Sequence, residues 1–140
     1  MCCTCGPRMM TAMSIWIEYN PNPEGRRIDD CAIRALCRAL GVNWPEASVI
    51  LSAKSLAMGT TQTDKATVNA VLHEHGFRRR ALPDTCPDCY TAAMFAMDHP
   101  EGLFVICFDN HIAVVEGGRL FDSWDSSREI PLFYWEREEV

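Results

Sequence analysis

Three side chains that together suit acyl-transfer chemistry stand far apart in this chain: Cys31, His111 and Asp122. Cys31 follows Asp29 and Asp30 and opens a run in which Ile33, Leu36, Cys37 and Leu40 recur at helical spacing. Asp30 is the natural N-cap, with a carboxylate able to accept from the free amides of the first turn. A thiol at the first helical position meets unpaired N–H groups and the positive end of the helix dipole, both of which favour the thiolate. The plain alternative is a small buried cysteine, since free cysteines are often core residues.

The other two residues fall on either side of Gly117-Gly118, a hairpin signal. With the turn centred there, facing positions sum to about 235, the register a two-residue loop dictates. His111 then opens one strand and Asp122 closes the next, one diagonal step from the directly facing position and within side-chain reach. A carboxylate holding one imidazole nitrogen leaves the other free to take a proton from a thiol. Singly, His111 reads as a solvated strand-end histidine and Asp122 as a turn residue beside Ser123. Together with Cys31 they form a nucleophile, a base and an orienting group. Asp29 and Asp30 place negative charge near the thiol, so the expected nucleophile is an ion pair that depends on His111, with Arg26 and Arg27 as further positive charge.

The elements that must position these residues follow from patterning. Residues 1–12 carry three cysteines without periodicity and precede a second plausible start at Met13, which suggests a disordered tail or an artefact of start-site choice, and a single domain over 13–140. A short strand is expected at Ser14–Tyr19, ended by Pro21 and Pro23. The Cys31 helix should close at Gly41. A second helix should run from Trp44 to about Ala57, with Pro45 near its first position and Gly59 beyond its end. Thr61 and Asp64 suggest a capping box for a third helix whose apolar face is Val68, Val71, Leu72 and His75. His73 and His75 lie two apart on that helix and cannot readily share an ion. A strand at Phe77–Leu82, a loop at Pro83–Cys89 and a short helix at Tyr90–Met97 follow. Strands are then expected at Leu103–Phe108, His111–Val115, Arg119–Phe121 and Ile130–Trp135. Helices first and an antiparallel meander after define an α+β class.

Composition narrows the function. The 140 residues carry a formal net charge of −6, which argues against a non-specific nucleic-acid binder. Arg78-Arg79-Arg80 reads as a short solvated patch. Met9–Ile17 is apolar but lacks a cleavage site, and no run is long enough to span a bilayer. The eight cysteines form no regular framework, so a reducing, cytosolic setting with mostly free thiols is expected.

A cysteine at a helix start, followed by His and Asp on consecutive strands, resembles the papain-like cysteine protease superfamily. Asp122-Ser123-Trp124 is similar to the Asn-Ser-Trp of papain, with Asp in the place of Asn. Asp30-Cys31 resembles the Asp-Cys of bacteriocin-leader peptidases. Asn22-Pro23, Asp30 to Ala35, His99-Pro100 with Gly102, His111 to Gly117 and Asp122 to Asp125 are similar to small phage and prophage proteins of papain-like type. The resemblance covers roughly residues 14–135. It implies a papain-like fold, with N-terminal helices packed on a C-terminal antiparallel sheet. It also implies Cys31 as nucleophile, His111 as base and then acid, and Asp122 as orienter, with no cofactor and no metal. Papain-like enzymes place a Gln six positions before the cysteine as an oxyanion donor. Here that position is Gly25, and Asn22 is the substitute, with Asn20 behind it and the Cys31 backbone N–H as the second donor. Asn22 reads equally as an Asn-Pro turn residue.

The leading expectation is a thiol hydrolase of peptide, isopeptide or related amide bonds, acting on a protein or peptide in the cytoplasm, the host cytosol if the chain is phage-encoded. The same fold with an unused site, serving as a phage-derived binding or inhibitor module, is the alternative. A third reading takes Cys86 and Cys89, with the N-terminal cluster, as a zinc or redox pair, against incidental thiols.

Overall fold

The computed structural model describes residues 14–85 and 88–138. The expected N-terminal tail and Cys86 lie outside them. The described residues form four helices and one mixed sheet: β1 (Trp16–Glu18), α1 (Cys31–Leu40), α2 (Trp44–Met58), α3 (Lys65–Glu74), β2 (Phe77–Ala81), α4 (Ala92–Asp98), β3 (Leu103–Cys107), β4 (Ile112–Glu116), β5 (Arg119–Asp122) and β6 (Phe133–Arg137). The strands lie in the order β1-β5-β4-β3-β6-β2, antiparallel throughout except for β1, which runs parallel to β5. The class is therefore α+β with helices gathered toward the N-terminus.

The sheet is covered on both faces. Val105, Cys107, Ile112, Val114, Phe133 and Trp135 pack with α1, α2 and α3. Ile106, Phe108, Ala113, Val115 and Leu120 pack with Ala92, Phe95 and Ala96 of α4. Burial on both faces explains why β3 is a continuous apolar run rather than an alternating one. The fourth helix on the far face is the layer that a simple helices-on-sheet reading omits.

The β4–β5 hairpin keeps the register expected from its turn: Val114 faces Phe121, Val115 faces Leu120 and Glu116 faces Arg119. Gly117 and Gly118 take φ of 59° and 76°, the left-handed pair that a two-residue loop matched to strand twist requires. β6 starts at Phe133 rather than Ile130, because Pro131 has no N–H to give the ladder and Ile130 and Leu132 stay exposed.

Two helix starts differ from expectation. Asn43 and Glu46 form a reciprocal capping box on α2. Thr61 and Asp64 do not form one: Asp64 is itself the N-cap of α3 and accepts from the Ala66 N–H. The Thr61 carbonyl instead takes the Thr67 hydroxyl at 2.7 Å. Val68, Val71 and Leu72 form the buried face of α3, but His75 is exposed at the helix end, its ring returning to the Val71 carbonyl. Among the described residues, no helix is long and apolar enough to cross a membrane.

Candidate active site

Cys31 is the first residue of α1, and the helix is buried along nearly its whole circumference. Its first intrahelical bond runs from the Arg34 N–H to the Asp30 carbonyl. The amides of Cys31, Ala32 and Ile33 precede that bond and have no partner inside the helix. Asp30 occupies the N-cap position but makes no side-chain cap bond, which corrects the capping role expected for it. Its buried carboxylate is drawn off by stronger partners, the Arg34 guanidinium on one oxygen and the Trp44 indole N–H at 2.8 Å on the other. The helix start therefore keeps its positive end and its free amides beside the thiol.

His111 stands one residue before β4, where its carbonyl accepts from the Phe108 N–H at 2.8 Å and closes the β3–β4 turn. Its Nε2 lies 2.6 Å from Asp122 Oδ2. The Cys31 side chain lies close enough to the ring to help hold its pKa up. With Nε2 taken by the carboxylate, Nδ1 is the ring nitrogen left to face the thiol. The imidazole is flanked by Phe108, stacked at 5.8 Å, and by Trp124, tilted at 4.9 Å. Aromatic rings at this distance favour a cationic imidazole.

Asp122 is 1% exposed and fully engaged. Oδ2 accepts from His111 and from the Ser126 hydroxyl at 2.5 Å. Oδ1 accepts from the Ser123 N–H at 2.8 Å and faces Arg34 at 3.3 Å. Its backbone carbonyl is held by the Tyr19 N–H and the Trp16 indole of the β1 region. Parallel pairing of β1 with β5 thus fixes the carboxylate from behind.

Burial pulls the His111 pKa down, but the bond to Asp122 and the neighbouring Cys31 side chain outweigh it and raise the value to about 9. An unfolded imidazole titrates near 6.5. The contribution of His111 to stability is therefore complete below about 6.5 and is lost as pH rises through about 9. Burial pushes the Cys37 and Cys107 thiols up to about 11, so they begin to act only above that window. Thermal unfolding in a pH series is expected to show stability falling between these two limits, and His111→Gln is expected to flatten that fall.

The structure brings Cys31, His111 and Asp122 together. It does not bring in Asn22 by any bond involving its side-chain nitrogen. The Asn22 Oδ1 accepts from the Glu24 and Arg26 N–H groups at 2.9 and 3.2 Å, the pattern of an Asn turn. Asn20 Nδ2 donates to the Arg26 carbonyl in the same loop. Arg27 binds Glu18 and the Ser123 carbonyl, tying that loop to the end of β5. Arg34, Ser126 and Trp44 join the site without having been anticipated as members. The one available signal was the Asp30/Arg34 pair at i, i+4.

Cys89 is buried and disulfide-bonded, a departure from incidental thiols and a bond that a reducing cytosol disfavours. Cys31, Cys37 and Cys107 are free. Among the described residues, no group of three or more His, Cys, Asp or Glu is arranged to hold a metal ion. Neither protein-family models, curated proteins nor solved structures contain a match to the chain.

Proposed function

We propose that this chain is a papain-like thiol hydrolase of peptide, isopeptide or related amide bonds. The observation that carries the reading is the set gathered at the start of α1: a thiol beside an imidazole whose Nε2 is held by a buried carboxylate at 2.6 Å. An imidazole that keeps its proton to about 9 is cationic at neutral pH, the condition for a thiolate beside it.

The Cys31 sulfur attacks the substrate carbonyl carbon, forming a C–S bond. The carbonyl oxygen gains negative charge and meets the open first-turn amides of α1, that of Cys31 among them. His111 delivers its proton to the leaving nitrogen as the C–N bond breaks, leaving a thioester on Cys31. Water then attacks the thioester, His111 takes its proton, and the sulfur departs as the carboxylic acid is released. Asp122 keeps the ring oriented through both half-reactions. The leaving and accepting groups decide between peptidase, deamidase and acyl transferase. The site lies in a small domain with Cys31 only 8% exposed, which favours an accessible peptide tail or a partner protein as substrate.

One observation favours the second reading, a protein-binding module with the site unused. Gly25 stands where the resemblance calls for Gln, and the Asn22 oxygen is committed to its own loop. A missing side-chain donor costs roughly 10²–10³ in rate, which weakens an oxyanion hole without removing the nucleophile.

An activated ester of a short peptide separates the two. Intact-protein mass spectrometry after a brief incubation is expected to show one acyl adduct on Cys31, which decays with release of acid and is absent in Cys31→Ala. Equal slow acylation of several side chains, unchanged in Cys31→Ala, would favour the binding module.

A further inference from the structure

Arg34 is an unusual core residue. It lies in the second turn of α1, is 5% exposed, and spans two buried carboxylates. One guanidinium nitrogen binds Asp30 Oδ1, and the other lies 3.3 Å from Asp122 Oδ1. Asp30 is further fixed by the Trp44 indole of α2, and Asp122 passes the network on to His111 and Ser126. A chain of contacts results: Cys31 follows Asp30 in sequence, Asp30 pairs with Arg34, Arg34 with Asp122 and Asp122 with His111, whose ring lies beside Cys31 again.

Such a cation is expensive to desolvate and is a poor choice for stability alone, because apolar residues of similar volume often serve as well. Its geometry suggests another use. The thiol is carried by α1, whereas the imidazole and its carboxylate are carried by the β4–β5 hairpin. The planar fork meets the helix carboxylate and the hairpin carboxylate with separate nitrogens set at a fixed spacing. A lysine offers one point charge on a flexible stem and fixes no spacing between them.

We propose that Arg34 is a positioning residue for the Cys31–His111 pair, tethering Asp122 to the helix that carries the thiol so that the imidazole stays in register with the sulfur. This rests on the reading of Cys31 and His111 as an ion pair. Asp30 serves as the second arm that fixes the guanidinium and, by being so engaged, leaves the amides at the helix start open. The other charged or titratable groups of the network are Cys31 on α1, His111 before β4 and Asp122 on β5. Cys37, farther along α1, stays neutral because burial raises it to about 11.

The test is the pH profile of Cys31 alkylation by iodoacetamide, read by peptide mass spectrometry, with thermal unfolding measured on the same samples. In Arg34→Lys the charge on Asp30 remains compensated while the tether is lost. The low-pH edge of its alkylation profile is expected to move up by about one unit, a smaller shift than in His111→Ala. Its rate at about pH 9, where a free thiol ionises anyway, is expected to stay near native. A residue with only a structural role would move the unfolding midpoint and leave the shape of the profile alone. Should Arg34→Lys not fold, Asp30→Asn combined with Arg34→Gln removes both charges together, keeps an amide pair in their place, and carries the same expectation. A native profile in either variant, while His111→Ala abolishes the low-pH reactivity, overturns the tether and leaves the ion pair standing. A native protein whose low-pH reactivity does not depend on His111 overturns both.

Discussion

His111→Ala is expected to lower acyl transfer by about 10²–10⁴-fold, the usual worth of a positioned acid–base group. The loss should have a pH signature as well as a size. A cysteine at the reference value of about 8.5 is only roughly 0.3% thiolate at about pH 6. A thiol that has passed its proton to a neighbouring imidazole is mostly thiolate there, although such a thiolate is intrinsically less nucleophilic. The two effects together leave on the order of a tenfold advantage for the paired thiol at about pH 6, vanishing toward pH 9. His111→Ala should erase that advantage and leave an ordinary thiol profile. The variant should fold with reduced stability below about pH 9, where native His111 holds its proton against Asp122. Alkylation rates of native and variant protein across the pH range check the first part, and turnover of the activated ester checks the second.

The largest effect on stability is expected at Asp122. Asp122→Ala removes one of the two carboxylates that compensate buried Arg34 and strips partners from His111, Ser126 and the Ser123 amide. Breaking a buried charge pair from one side typically costs about 3–5 kcal/mol, since the remaining charge stays buried and only partly paired. Asp122→Asn keeps an acceptor for His111 and should cost less, while giving up the negative charge that holds the ring cationic. The expected order of stability is native, then Asp122→Asn, then Asp122→Ala, by urea unfolding at neutral pH. Asp122→Asn should also shift the low-pH edge of Cys31 alkylation upward. Equal stability of Asp122→Ala and the native protein would remove the carboxylate network from any account of the fold.

Much of this arrangement was legible in the residue order because it depends on local rules. The helix from Cys31 to Gly41 follows from apolar spacing and a glycine that accepts a left-handed conformation. The hairpin register follows from two consecutive glycines, and with it the approach of His111 to Asp122. Arg34 escaped because a single basic residue in a helical pattern ordinarily marks a solvated position, and its burial depends on a second carboxylate, Asp122, that only tertiary packing supplies. The same cause misassigned Asp30. An aspartate before a helix is a good N-cap until a buried guanidinium competes for it. The parallel pairing of β1 with β5 is a contact between residues more than a hundred positions apart, and no local pattern specifies it. Asn22 remained ambiguous for a different reason. An Asn-Pro pair suits both a turn and an oxyanion donor, and the hydrogen bonds it makes are those of the turn.

The most direct test of the central claim is the rate at which native protein is alkylated at Cys31, compared with Cys37 and Cys107, across the pH range. Burial holds the latter two thiols up to about 11, so they serve as internal references for unreactive cysteines. Rapid, selective labelling of Cys31 that persists to about pH 6 is the predicted result, because His111 remains protonated and paired there. Labelling of Cys31 that is slow at about pH 6 and rises only as an ordinary thiol ionises would contradict the ion pair, and with it the hydrolase.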